Sequence, residues 1–321
     1  MMSIRRVAAA ALTALLFTLG PAAAQSGKGM KIVVPFPPGG SADVLARLVG
    51  QEAARNTGQS LVVENRPGGG TVIATDYVAR AAPDGGTLLI MANSFVINAH
   101  VRASLPYDPL TSFTPICLLV DSPQLLVVNG SSELRSFQDY VAAARAKPGQ
   151  LSIATVGPAT TQHIAAELLK QKAQLDLLYV AYPGGAPAVT ALLGQHVDSV
   201  LGNHSEVAEH LTSGALRVLA ATSLQRLPAL PAVPTIAEAG TKDYQASAWF
   251  GMMAPAGTPQ ATISRLSAAF KAALEVPEIQ TKLVSLGLYP TPACEGAFAA
   301  HIRKQYDEYA EVIRAANIKL D

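Results

Sequence analysis

The sequence carries almost no net charge, with 24 Lys and Arg against 23 Asp and Glu. It has no basic stripe with which to neutralise phosphates, so nucleic acid is excluded as a partner on electrostatic grounds. Cysteine is scarce. Cys117 and Cys294 are the whole supply, too few and too far apart for a disulfide framework or a Cys-x-x-Cys centre. They read as two separate small apolar thiols, with a disulfide left open because spacing cannot place their Cα atoms within bonding reach. Gly-x-Ser-x-Gly and His-Glu-x-x-His are missing, and so are the P-loop and the Gly-x-Gly-x-x-Gly fingerprint. His196, His204 and His210 are eight and six residues apart, spacings that do not stack on one helix face as metal ligands would. No catalytic residue, cofactor or metal is expected.

Long apolar runs are also missing, except at the start. Arg5 and Arg6 precede an apolar stretch from Val7 to Leu19 that ends at Gly20, Pro21 and Ala22 to Ala24. Residues 1–24 read as a secretory signal peptide cleaved before Gln25, because the run is shorter than the ~20 residues of a membrane span and meets a small-residue motif at once. No cysteine follows to take a lipid. The expected product is a soluble periplasmic protein of 22 basic and 23 acidic side chains.

What the sequence does have is repetition of strand and helix patterns. Apolar runs at Lys31 to Pro35, Leu61 to Glu64 and Thr87 to Met91 alternate with helical patterns at Ser41 to Asn56 and Val72 to Ala81. Two more apolar runs, Thr114 to Val120 and Gln124 to Asn129, precede a second series with strands near Ser152, Leu177, Ser199 and Val218. Repeated βα order predicts mainly parallel sheets flanked by helices. The length exceeds the usual single domain, so two lobes are expected: residues 25–120 plus 250–321, and residues 121–249. The stretch Leu227 to Pro234 carries three prolines and cannot be a central strand. Ile263, Leu266, Phe270 and Leu274, then Phe298, Ile302, Tyr306, Tyr309 and Ile313, recur at helical spacing and predict a packed helical end.

Three strand-to-helix loops carry the chemistry. In Val34-Pro35-Phe36-Pro37-Pro38-Gly39-Gly40-Ser41-Ala42-Asp43, glycines allow close backbone approach, and a helix start presents free N–H groups with partial positive charge. That combination is an anion seat. Asp43 can either offset the helix dipole or meet a ligand hydroxyl or ammonium group. A second loop, Tyr182-Pro183-Gly184-Gly185-Ala186-Pro187, again opens a helix, with Pro187 suited to its first turn. A third, around Thr160, Thr161 and His163, offers a helix cap in Thr160 and two side chains able to reach a cleft.

Together with Val62-Val63-Glu64-Asn65-Arg66-Pro67-Gly68, Leu105-Pro106-Tyr107-Asp108-Pro109 and Trp249-Phe250-Gly251, these loops make the chain resemble the Bug-type receptors of tripartite tricarboxylate transporters over nearly all of its mature length. The resemblance implies a two-lobed periplasmic binding fold of type II, with a ligand carboxylate held by backbone groups and bridging waters of Phe36 to Ser41 and Tyr182 to Ala186. It implies that Asn93, Ser94, Thr160, Thr161, His163 and Asn203 read the other end of the ligand. Membrane transporter subunits would be the partners of a monomeric receptor, or a membrane sensor if the role is signalling. The chain departs from the family pattern at Pro183, where Lys is usual, and at Gly202, where an acidic residue is usual. A carboxylic acid with an apolar or hydroxylated body therefore fits better than one needing those groups.

Overall fold

The computed structural model describes residues 29–157 and 160–319. The expected signal peptide lies outside the described residues. The first half of the chain runs β1 (Met30–Val34), α1 (Ser41–Thr57), β2 (Leu61–Asn65), α2 (Val72–Ala79), β3 (Thr87–Ala92), α3 (Ser94–Val101) and β4 (Phe113–Asn129). Then follow α4 (Phe137–Ala146), β5 (Ser152–Thr155), α5 (Thr161–Ala173), β6 (Leu178–Ala181), α6 (Gly185–Leu193), β7 (Ser199–Asn203), α7 (His204–Thr212) and β8 (Leu216–Ala221). The chain closes with β9 (Ser247–Pro255), α8 (Gln260–Glu275), α9 (Pro277–Ser285), β10 (Tyr289–Cys294) and α10 (Gly296–Ala315). Leu227 to Pro234 forms neither helix nor strand.

The ten strands among the described residues belong to one curled sheet that β4 divides. The first half of β4 pairs with β9 and β10, and beyond β9 lie β3, β1 and β2. The second half pairs with β7 and β8, and beyond β7 lie β5 and β6. The two apolar runs read as separate strands are thus one strand of 17 residues. Each half of the sheet is mixed rather than mainly parallel. The βα units give parallel pairs, β1 with β2 and β3, and β5 with β6 and β7. Every pairing of β4 and β9 is antiparallel.

Burial follows this division. Ile32, Val34, Ile90, Leu119 and Phe250 form a core with α1 and α8, while Leu126, Val128, Ile153, Leu201 and Leu219 form another with α4 and α5. A smaller cluster joins the halves: Ile164 of α5 packs with Ile97 and Val101 of α3 and Ile313 of α10.

Cys117 and Cys294 are not separate thiols. They form a disulfide, because β10 runs antiparallel to β4 and places Cys294 directly opposite Cys117.

Asp121 sits in β4 between Trp249 of β9 and Tyr289 of β10, near the point where the strand passes from one half of the sheet to the other. Burial pushes its pKa up to about 6, offset in part by the Ser122 backbone, with Ser247 facing it but not closing to hydrogen-bond geometry. A raised carboxyl pKa means that the native state holds its proton more tightly than the unfolded chain. Stability is therefore lost as pH rises from about 4 to about 6, and the loss is complete above that. Asp121→Asn is expected to raise the unfolding free energy at pH 7.5 by ~2 kcal/mol and to change it little at pH 4. Denaturant unfolding at the two pH values checks this.

Candidate functional site

The first loop is built from a strand buried on both faces, with Ile32, Val33 and Val34 fully covered, as a central parallel strand should be. It turns at Gly39, whose φ of 83° suits glycine, and enters α1 through Gly40, which makes no side-chain cap. The brace is Asp43. Its carboxylate accepts the Gly39 N–H at 3.0 Å and Asn65 Nδ2 at 3.0 Å, and pairs with Arg47 at 2.9 Å. Asn65 also donates to the Phe36 carbonyl at 3.1 Å. Burial opposes ionisation of Asp43, yet hydrogen bonds from Arg47, Gly39 and Asn65 hold its pKa below the usual carboxylate value. The dipole-offsetting role of Asp43 is the one its contacts support, since its carboxylate is spent within the loop.

The seat above Asp43 stays open. The first intrahelical bond of α1 is donated by Val44 to Gly40 at 3.0 Å, so the N–H groups of Ser41, Ala42 and Asp43 precede the ladder and can serve an anion. Pro37, Gly39 and Gly40 are exposed around them.

The second loop leaves β6 with the Tyr182 N–H bonded to the Thr155 carbonyl at 2.8 Å. It enters α6 through Gly184, which has no side-chain cap, and passes Gly185 and the exposed Ala186. Gly185 touches a group that the sequence reading did not single out. A Cβ there would run into the Glu206 carboxyl group, so any larger residue would require that carboxyl to move. Glu206 is three residues into α7 and accepts the Asn203 N–H at 3.0 Å and Asn203 Nδ2 at 3.1 Å. Burial raises its pKa, and the Asn203 hydrogen bonds oppose that shift. Its Oε2 lies 3.8 Å from where a Cβ at Gly202 would stand. The next helical turn thus supplies a carboxyl group where Gly202 brings none. The spacing Asn203-x-x-Glu206 was the available signal, being that of a capping box. Of that box only the Glu206 arm closes to hydrogen-bond distance.

The two loops meet around the first turn of α7. Ser205 Oγ lies 3.0 Å from Ser41 Oγ, across the gap between the halves of the sheet, while the next residue, Glu206, lies against Gly185. His204, before them, is buried against Gly287 in the turn preceding β10.

The other expected ligand readers divide. Thr160 is the N-cap of α5, accepting from the His163 N–H at 3.4 Å and donating to the Gly157 carbonyl at 2.7 Å. Thr161 is buried at the first position of that helix. His163 has Nδ1 3.4 Å from Thr155 Oγ1 and its ring 5.1 Å from that of Tyr179. Burial lowers its pKa, which favours the neutral imidazole. Asn93 is fully buried. Its amide bonds the Ser247 carbonyl, the Tyr309 hydroxyl and the Trp249 N–H, which fastens β3 to β9 and α10 and leaves little to offer a ligand. Ser94, next to it, is buried at the start of α3.

A sheet shared by two α/β halves, with helix N-termini from both converging on one gap, defines a periplasmic binding protein fold. The chain belongs to the tripartite tricarboxylate transporter receptor family, whose model matches residues 45–318. It is 35% identical over 293 residues to Protein BugT of Bordetella pertussis, covering 91% of this chain and 90% of that protein. Among solved structures it is similar to the periplasmic binding protein BugD, with TM-score 0.82 and 32% identity over 91% of this chain and 98% of that one. It is also similar to an R. palustris protein, Rpa4515, solved with adipate, with TM-score 0.84 and 32% identity over 91% of this chain and 98% of that chain. The protein is accordingly a periplasmic solute-binding receptor of this family.

Proposed function

We propose that the receptor captures one small organic carboxylate between residues 25–120 plus 250–321 and residues 121–249, acting as two lobes, and delivers it to the membrane subunits of a tripartite tricarboxylate-type transporter. The observation that carries this reading is the approach of Ser41 to Ser205 beside unspent N–H groups at the start of α1. A carboxylate seated there would touch both lobes, and contacts to both favour the closed state. Adipate in a structural neighbour is in keeping with a carboxylate ligand. The hinge would be β4 and β9, which connect the halves. Phe36 to Ser41 and Tyr182 to Ala186 hold the carboxylate in this reading, while Thr161, His163 and Asn203 face its other end. The leader is removed before Gln25, and no cofactor takes part.

A thermal-shift screen of the mature protein against carboxylic, amino and aromatic acids tests the proposal. The expected result is a concentration-dependent rise in Tm for a narrow set of acids, with one-to-one stoichiometry by calorimetry. A library without a single stabilising acid would refute it.

A further inference from the structure

Gln124 is completely buried where β4 enters the second half of the sheet, and neither Nε2 nor Oε1 of its side chain has a hydrogen-bond partner among the described residues. Its backbone is fully used, since the N–H donates to Thr222 Oγ1 at 2.8 Å and the carbonyl accepts the Thr222 N–H at 2.9 Å. The side chain alone is unspent. An amide removed from water with nothing to bond is costly, and such a group in a binding protein points to a polar occupant.

Its neighbour repeats the pattern. Asn203 stands directly opposite Gln124 in the β4–β7 register, so the two side chains leave the same face of the sheet. Asn203 is 9% exposed and its Oδ1 is also without a hydrogen-bond partner among the described residues. The two amides do not bond each other, although an unused donor and an unused acceptor are present in the pair. Glu206 fixes which atom Asn203 has to offer. With Nδ2 engaged at Glu206 Oε1, the oxygen is the free end. The pair therefore offers two acceptors, Asn203 Oδ1 and Gln124 Oε1, and one donor group, Gln124 Nε2.

We infer that Gln124 and Asn203 together read a ligand hydroxyl, and that Gln124 is a specificity-determining residue of the cleft. A hydroxyl both donates and accepts, so it satisfies an acceptor on one amide and the donor on the other. A second carboxylate accepts only. It would leave both amide oxygens unpaired and would stand close to the Glu206 carboxyl. The inference rests on the carboxylate-receptor reading and narrows it to hydroxy acids.

The test is calorimetry of wild type and Gln124→Met with two matched sets of acids: succinate and malate, and 3-phenylpropionate and 3-phenyllactate. Methionine keeps the length of the side chain and removes its hydrogen bonding. In at least one set, wild type is expected to prefer the hydroxy acid by ≥10-fold, and Gln124→Met is expected to narrow that preference below about 3-fold by weakening the hydroxy acid. The Tm of the variant should hold or rise, because a buried amide without partners has been removed. An undiminished preference in Gln124→Met would overturn the inference and assign the amide to ordered water. Equal wild-type affinity for the hydroxy and plain acids of each set it binds would overturn it as well. Wild type that binds none of the four acids and no member of the wider screen would refute the carboxylate reading itself, a separate outcome.

Discussion

Ser41→Asp is expected to abolish carboxylate capture, weakening the acid identified by the thermal-shift screen by at least about 100-fold, or ~2.7 kcal/mol, while leaving the fold intact. The two effects separate because they draw on the same feature from opposite sides. An acidic side chain in the first turn of a helix is favourable for the helix, by ~0.3–1 kcal/mol, and Asp43, two residues on, does not face position 41. The same carboxylate would occupy the seat formed by the Ser41, Ala42 and Asp43 N–H groups and would repel a ligand anion in a site partly shielded from water. It would also take the place of the hydroxyl that meets Ser205. Calorimetry and thermal unfolding of one preparation check both halves. Affinity within about 3-fold of wild type would remove the α1 N-terminus from the site. Ser41→Ala, which loses only the Ser205 contact, should cost far less, ~0.5–1.5 kcal/mol as for a single hydrogen bond.

The second large effect concerns stability. Cys117 and Cys294 are 177 residues apart in sequence, so their bond closes a long loop in the unfolded chain. Cys294→Ser is expected to lower the unfolding free energy by on the order of 3–5 kcal/mol, the range for loops of this size in the chain-entropy description. The local structure adds to this dependence. Among the described residues strand β10 pairs only with β4, and it contains Pro290 and Pro292, neither of which donates to the ladder. Urea unfolding of oxidised wild type, reduced wild type and Cys294→Ser checks the prediction. The last two should agree with each other and differ from the first, whereas three coincident curves would show that the bond contributes nothing to stability.

The same strand shows where sequence reasoning stops. Tyr289-Pro-Thr-Pro-Ala-Cys294 does not read as a strand, because two prolines in six residues break the pattern. Without β10 the position of Cys294 opposite Cys117 cannot be anticipated. Pro123 had a similar effect on β4, splitting one strand into two apparent runs; it ends the pairing with β9, and the pairing with β7 begins at the next residue, Gln124. The regular elements were legible because periodicity and turn chemistry agreed: the strand, Pro/Gly loop and helix from Lys31 to Asn56 differ from the structure by a residue at the edges.

The candidate site was legible at the level of loops and less so at the level of side chains. Glycines before a helix can be read locally, so Gly39, Gly40, Gly184 and Gly185 stand out. Whether a polar side chain is spent or free depends on partners far away in sequence. Asp43 is engaged by Asn65, and Asn93 by Ser247, Trp249 and Tyr309. The reverse holds for Gln124, which sits in an apolar strand and attracts no notice until its buried amide is seen to lack hydrogen-bond partners among the described residues.

The most direct measurement is a calorimetric titration comparing the identified acid with the same molecule carrying a carboxamide in place of its carboxylate. Backbone N–H groups at a helix start favour negative charge, so the acid is expected to bind one-to-one and the amide at least about 100-fold more weakly. Equal affinities for the two would contradict the account, because the seat at the start of α1 would then not be reading a carboxylate.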